Sequence, residues 1–184
     1  MIAQPHPSRT RMTNAEYFAL PETNRLVELW DGELIEMAPP TTDHQTASIN
    51  LIVLLHALIP DGRLFHAPTD VVFGEGYVPQ PDVMWVAAES RCVIDKKRLI
   101  GPPDLIIEIL SPSTEANDRS DKYTLYERHG VREYWIVNPE HRFIEVYMHD
   151  GSGFARRGVF IAGQSEFFES PVLGKPVPLT PIFA

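Results

Sequence analysis

The sequence predicts one mixed α/β domain, and three observations support this fold class. The chain has 184 residues, which is enough for one buried core but short for two. Short alternating apolar runs of strand length are separated by longer runs with helical spacing. A strand, a helix and a second strand follow one another between Leu105 and Val137, which predicts a crossover that joins two parallel strands. We expect residues 1–184 to form a single domain, with residues 1–11 flexible.

Composition limits the classes of function. No apolar run approaches the roughly 20 residues that a membrane-spanning helix needs. The N-terminus lacks the apolar segment of a secretory signal, and the single Cys92 cannot form an internal disulfide, so we expect a cytoplasmic protein. The formal net charge of −9 opposes nonspecific binding to nucleic acid, because that binding depends on Lys and Arg that neutralise phosphates.

An N-terminal β-hairpin is predicted from VELWDGELIEM. Its two alternating runs are joined by Asp31 and Gly32, a pair that favours a two-residue type I′ turn. If Trp30 lies opposite Glu33, then Glu36 lies at the end of an apolar row on one face of the hairpin. Glu36 is then either a strand-end carboxylate in solvent or part of a site.

Two helices are predicted on either side of this hairpin. In TNAEYFAL, Thr13 and Glu16 have the spacing of a capping box, which indicates a short helix. The segment TTDHQTASINLIVLLHALI has helical length and an apolar body. His44 lies in the first turn of this helix, where it could face a cleft, and the N-terminus of the helix favours a nearby anion. A surface histidine is the simpler interpretation.

The rest of the chain predicts the remaining elements. Residues 63–87 suggest two strands around a Gly-rich turn, the second beginning at Asp82, and ESRCVIDKKRLIG suggests an exposed polar segment. A buried strand at 105–110 is followed by a helix that Gly130 ends, then by the hairpin of REYWIV and FIEVYMH. The aromatic residues of that hairpin form either core or a homodimer face. We expect the Pro-rich tail SPVLGKPVPLTPIFA to wrap the surface in an extended form.

Glu108 stands out because it interrupts an apolar strand. Strand alternation places it between Ile106 and Leu110, and neither face of this strand looks solvated. A buried carboxylate costs several kcal/mol unless a cation or hydrogen bonds compensate for lost hydration. Two partners are possible: Lys122 on the following helix, in a purely structural ion pair, or a divalent metal that Asp82 would also bind.

Four segments together resemble the Uma2 family, which is grouped with PD-(D/E)XK restriction-endonuclease-like nucleases. They are VELWDGELIEMAPPTTDHQ, VPQPDVMWV, GPPDLIIEILSPST and DRSDKYTLYERHGVREYWIVNPEHRFIEVY, and the similarity spans about residues 12–183. The resemblance implies a restriction-endonuclease-like core, a mixed β-sheet with the N-terminal hairpin and flanking helices.

The resemblance also implies a metal site and a role for each candidate residue. Asp82 matches the Asp of the Pro-Asp pair and Glu108 the second acid, and together they would hold Mg²⁺, or Mn²⁺ in its place. The usual motif would place a lysine where this chain has Leu110, so Lys122 matches as a lysine moved to the next helix. Either Glu36 or His44 matches the upstream acid position, and the hairpin register favours Glu36, with His44 auxiliary.

The implied activity is metal-dependent hydrolysis of phosphodiester bonds in nucleic acid, with DNA favoured over RNA. Two alternatives stay open: an interaction module for nucleic acid or protein that no longer cleaves, and a phosphodiesterase for small molecules. We expect Asp82 and Glu108 to lie within reach of one cation, and Glu36 to lie nearer to them than His44 does. A catalytic Lys122 should point into a cleft and be partly solvated.

Overall fold

The computed structural model describes residues 11–21, 26–111 and 115–184. The fold is a mixed α+β arrangement in which helices cover a β-sheet, as predicted. The expected flexibility of residues 1–11 concerns a segment that, apart from Arg11, lies outside the described residues. The elements in chain order are α1 (Asn14–Phe18), β1 (Val27–Trp30), β2 (Glu33–Glu36), α2 (Thr42–Leu58), β3 (Arg63–His66), β4 (Asp70–Val72), β5 (Tyr77–Val78), β6 (Val83–Val86), β7 (Val93–Ile94), β8 (Arg98–Ile100), β9 (Leu105–Ile109), α3 (Glu115–Asn117), a π-helical turn (Asp118–Lys122), α4 (Tyr123–His129), β10 (Glu133–Asn138), β11 (Phe143–His149), β12 (Phe154–Ile161), β13 (Phe167–Ser170), β14 (Lys175–Pro178) and a 3₁₀ turn (Thr180–Phe183).

The central sheet has the strand order β12-β11-β10-β9-β6-β3 over the described residues. Strands β9 and β10 are parallel, which confirms the predicted crossover, and β6 runs antiparallel to β9. Every residue of β9 and β10 is buried, because both faces of the sheet are covered. On one face Ile107 and Trp135 pack with α2 and the C-terminal segment, and on the other Ile106 packs with α4.

The N-terminal elements form as predicted. The capping box at Thr13 and Glu16 begins α1. In the hairpin, Trp30 pairs with Glu33, and Asp31 and Gly32 have φ of 50° and 77°, as a type I′ turn requires. Strand β1 also pairs with β5, so β1 is the middle strand of a separate sheet and both of its edges are paired.

The middle of the chain differs from the prediction. Four described strands, β3 to β6, replace the two that were expected, and they belong to three different sheets. The segment ESRCVIDKKRLIG is not simply exposed, since it forms β7 and β8 and buries Cys92 and Leu99. Strand β8 pairs in parallel with the distant β4. Such pairing between remote segments leaves no local pattern in the sequence.

The C-terminal tail is part of the core, so the expected surface wrap is wrong. Strands β13 and β14 form a hairpin, and Val177, Leu179 and Ile182 are completely buried in the same cluster as the α2 residues Leu51 and Leu55. The prolines limit regular hydrogen bonding but leave these apolar side chains free to pack.

Two aromatic residues of the β10–β11 hairpin, Tyr134 and Trp135, also belong to the core. Tyr134 and Trp135 have no solvent exposure within a single chain. These two rings therefore pack inside the chain, and the homodimer stays a prediction. Over the described residues, no helix is long and apolar enough to cross a membrane.

Candidate active site

The buried carboxylate in β9 has two direct partners. Glu108 is 1% exposed, and Lys122 Nζ donates a hydrogen bond to its Oε2 at 2.9 Å. Tyr126 donates its hydroxyl hydrogen to the other oxygen, Oε1, at 2.7 Å. The strand thus positions the carboxylate and the following helix supplies both donors, so the partner that the sequence suggested for Glu108 is present.

A π-helical turn places Lys122. The turn spans Asp118–Lys122 between α3 and α4, and residues four apart in this region lie on one side of the helix. Asp118, Lys122 and Tyr126 have this spacing and all three are buried. Lys122 Nζ lies 3.2 Å from Asp118 Oδ1, so the lysine is held by its own helix as well as by Glu108.

Asp82 connects three elements at one end of the sheet. It directly precedes β6, and its Oδ2 accepts a hydrogen bond from the backbone N–H of Ile109 in β9 at 2.7 Å. His44 Nε2, in the first turn of α2, lies 3.1 Å from the same oxygen. Both contacts that Asp82 makes with described residues end at Oδ2, so Oδ1 is available to a ligand.

Glu28 is a site residue that the sequence analysis missed. It lies in β1, is 1% exposed, and has its Oε1 4.0 Å from Lys122 Nζ. The backbone N–H of Gln80 and the indole N–H of Trp30 donate to its two oxygens at 2.8 and 2.7 Å. The available signal was that Glu28 and Trp30 share one face of the hairpin, whereas the prediction considered only the face that carries Glu36.

The structure corrects the predicted position of Glu36. Its pairing with Val27 places it on the face of the hairpin opposite to Glu28, and its side chain is exposed. His44 contacts Asp82 directly, whereas Glu36 is not among the residues that line the cavity at the site. The expectation that Glu36 lies nearer than His44 is therefore wrong. The register itself was right, but the wrong face was assigned to the site.

The environment of Lys122 also differs from the expected one. The side chain is only 3% exposed rather than partly solvated. It nevertheless lines the cavity together with Glu108 and Asp82. The three carboxylates of Glu28, Glu108 and Asp118 surround the ammonium and take the place of solvent.

The electrostatics show an excess of negative charge. Burial raises the pKa of Glu108 well above its ordinary value, and Asp118 and Asp82 raise it further against the opposing effect of Lys122. Burial alone would lower the pKa of Lys122, but Glu108, Glu28 and Asp118 raise it well above its usual range. Both pKa shifts are those expected where several buried carboxylates share one ammonium group and little water is present. Lys122 therefore stays protonated.

A cavity of about 600 Å³ opens beside these residues. Its polar end is formed by the acidic cluster, which we define as Glu28, Asp82, Glu108 and Asp118 around Lys122, although Asp118 itself does not line the cavity. The opposite walls are largely apolar and come from the end of the hairpin, the loop after it, α2 and the turn after β3. The apolar wall residues are Leu26, Met37, Ala38, Pro40, Ile49, Ile52, Ala67 and Pro68.

The side chains fit a hard cation that keeps several of its waters. Over residues 11–21, 26–111 and 115–184, no three His, Cys, Asp or Glu side chains form a complete cage for a metal ion. Mg²⁺ needs no such cage, since it is commonly bound by one or two carboxylates with water and substrate oxygens. Asp82 Oδ1 and the Glu108 carboxylate are oxygen ligands of that kind, and the excess of negative charge favours a cation.

Two known proteins are similar in sequence to this chain. The uncharacterized protein slr1290 of Synechocystis sp. is 30% identical over 162 residues, which cover 83% of each chain. A second uncharacterized Synechocystis protein, sll1609, is 28% identical over 138 residues, 69% of this chain and 75% of the other. These relatives carry no described activity.

One solved structure supports the fold. A crystal structure from Anabaena variabilis, described as "a putative nuclease belonging to DUF820", aligns with a TM-score of 0.76 at 20% identity, over 94% of this chain and 97% of that chain. This likeness confirms the predicted restriction-endonuclease-like fold. The model of the Uma2 family, described as "Putative restriction endonuclease", matches residues 15–174. The chain therefore belongs to the Uma2 family.

Proposed function

We propose that the protein is a Mg²⁺-dependent nuclease that hydrolyses phosphodiester bonds of nucleic acid. The observation that carries the proposal is the excess of buried carboxylates around Lys122 at the end of an open cavity. A purely structural ion pair needs one acid for one lysine, and further buried acids would only destabilise it. Membership of the Uma2 family adds weight, because the model of that family is described as "Putative restriction endonuclease".

Asp82 and Glu108 would hold the ion, with water completing the coordination shell. Bound magnesium supplies Lewis-acid activation and neutralises charge on the scissile phosphate. The backbone N–H of Ile109 and the His44 ring orient Asp82 through Oδ2 and so keep Oδ1 directed away from them. Glu108 is held differently, because Lys122 and Tyr126 donate to its two oxygens, so a cation would bind a remaining lone pair of one of these oxygens.

The reaction adds water across one ester bond. A water oxygen attacks phosphorus and releases a proton to solvent, the bond between phosphorus and the leaving oxygen breaks, and that oxygen takes up a proton from solvent to leave an alcohol and a phosphate monoester. The carboxylates around Lys122 raise its pKa and favour the ammonium form, which is a donor and a poor general base. It would instead donate a hydrogen bond to the attacking water or to a phosphate oxygen and stabilise the charge that develops there.

The direct test combines metal binding with cleavage. Calorimetric titration with Mg²⁺ should give a saturable signal, and labelled DNA and RNA should be cut only when Mg²⁺ or Mn²⁺ is present. We expect Asp82→Asn to lose both the calorimetric signal and cleavage, and Asp43→Asn, an exposed acid in the same first turn of α2 as His44, to lose neither. Absence of both signals in the wild-type protein would favour an interaction module that does not cleave.

A further inference from the structure

The apolar walls of the cavity have no role in metal binding or hydrolysis. Four residues of α2, Gln45, Ser48, Ile49 and Ile52, lie on the cavity side with His44 at the polar end. Their spacing of three and four residues places them on one face of the helix. This face changes from polar to apolar with distance from the acidic cluster, so a ligand there needs a charged end and an apolar body.

Ile49 is the most informative wall residue. It lines the cavity and yet is 60% exposed, so much of its apolar surface has no protein neighbour. The cavity volume of about 600 Å³ falls in the range of roughly 300–1,000 Å³ that is usual for small-molecule sites. The space and the uncovered apolar surface suit a flat, largely apolar group such as a nucleobase, whose edges Gln45 and Ser48 could contact by hydrogen bonds.

The charges argue against a base-paired duplex at this position. Among the described residues that line the cavity, Lys122 is the one Lys or Arg side chain, and carboxylates already neutralise it. Duplex binding relies on many Lys and Arg contacts to phosphates, and this chain has a net charge of −9. Burial of the face of an unpaired base against an apolar wall is an apolar contact, which does not itself depend on positive charge.

We infer that the cavity holds one unpaired nucleoside beside the scissile phosphate, so that the substrate is a nucleoside phosphodiester presented without base pairing. This inference rests on the proposed nuclease function, because it assigns the reacting phosphate to the acidic cluster. The same chemistry is present in a single strand and in a free dinucleotide. A fully paired duplex does not offer it, because its bases are stacked and turned inward.

The test measures binding separately from cleavage. Fluorescence anisotropy with Ca²⁺, a cation that also prefers oxygen ligands, would compare a labelled oligothymidine strand with the same strand annealed to oligoadenylate. Calorimetry would measure the dinucleotide TpT. We expect the single strand or TpT to bind at least about tenfold more tightly than the duplex. Equal affinity for TpT and the strand would identify a dinucleotide ligand, and tighter binding of the strand would identify single-stranded nucleic acid; both support the inference.

Matched variants on α2 connect binding to the cavity. Ile49→Asn removes part of the apolar wall, and Val53→Asn changes a residue of the same helix that is 66% exposed and does not line the cavity. We expect Ile49→Asn to weaken binding about five- to tenfold and Val53→Asn to leave it unchanged, with equal melting temperatures. Tighter binding of duplex, equal effects of the two variants, or no binding of any probe would overturn the inference. Binding that depends on Ile49 without cleavage by the wild type in Mg²⁺ would instead overturn the proposed hydrolysis.

Discussion

Lys122 Nζ lies 2.9 Å from Glu108 Oε2, and both side chains are almost completely removed from solvent. An exposed ion pair at this distance would contribute little, because water and salt screen it. A buried pair behaves differently, since removal of one partner leaves the other charged in a place of low polarity. Each partner therefore compensates the buried charge of the other, and both belong to the proposed chemistry of the site.

Lys122→Met should destabilise the protein by about 3–5 kcal/mol, because Glu108, Glu28 and Asp118 then lose their shared cation. Denaturant unfolding would measure this change, with the exposed Lys97→Met as control. Adding Glu108→Gln to Lys122→Met should recover part of the loss, since the double variant has one buried charge fewer. Additive losses in the double variant would contradict the direct coupling.

Cleavage provides a second measurement on these variants. Under conditions where Lys122→Met remains folded, cleavage should fall by roughly 10²-fold or more, because the donor to the developing charge is gone. A folded Lys122→Met protein that cleaves at the wild-type rate would remove Lys122 from the mechanism and leave it a structural role.

Glu28 and Glu36 should respond differently to the same substitution. Glu28→Gln retains a similar shape but removes a buried charge 4.0 Å from Lys122, so we expect a loss of about 10- to 100-fold in Mg²⁺ affinity or cleavage. Glu36→Gln changes an exposed carboxylate on the opposite face and should leave both quantities unchanged. Calorimetry and cleavage assays compare the two, and a larger effect of Glu36→Gln would restore the original assignment.

Tyr126→Phe should cost about 1–3 kcal/mol of unfolding free energy, because Glu108 Oε1 loses the donor that it contacts at 2.7 Å. Tyr123→Phe is the matched control in the same helix. Its hydroxyl donates to the Phe154 carbonyl at 3.3 Å in a partly exposed position, so its loss should cost less. Equal costs in denaturant unfolding would show that Glu108 gains nothing specific from Tyr126.

The pH dependence of stability follows from Glu108. Burial raises its folded pKa above the ordinary value of 4.5, so the folded state binds this proton more tightly than the unfolded state. That contribution is complete below pH 4.5 and is lost as pH rises through the folded pKa. Without Mg²⁺, unfolding free energy should therefore fall with rising pH more steeply in the wild type than in Glu108→Gln, and Mg²⁺ should reduce the difference. A steeper fall in the variant would contradict this.

Cys92 should be unreactive in the folded protein. It is 6% exposed, and burial together with Asp104 raises the pKa of its thiol to about 11, so almost no thiolate exists near pH 8. A thiol-specific reagent should label it readily in denaturant and only very slowly in native buffer. Rapid labelling of native protein would show that the strands around β8 open easily.

Local patterns in the sequence were enough to predict several secondary-structure elements and one residue of the site, Glu108. The Asp31-Gly32 turn set the hairpin register, and Gly130 marked the end of α4, because both depend on the backbone conformation of a few adjacent residues. Glu108 was identifiable because one carboxylate in an apolar strand requires a partner wherever the strand lies. Lys122 and Asp82 followed from the crossover and from family resemblance.

The tertiary structure alone decided which acid of the hairpin joins the site. Alternation places Glu28 and Glu36 on opposite faces of the hairpin, but it cannot say which of these faces meets the central sheet. In the fold, Tyr17 of α1 packs against Leu29 on the apolar face. The π-helical turn at Lys122 and the burial of the Pro-rich tail around Val177 likewise depend on contacts between remote segments. Sequence patterns report the neighbours of a residue along the chain, whereas these features depend on its neighbours in space.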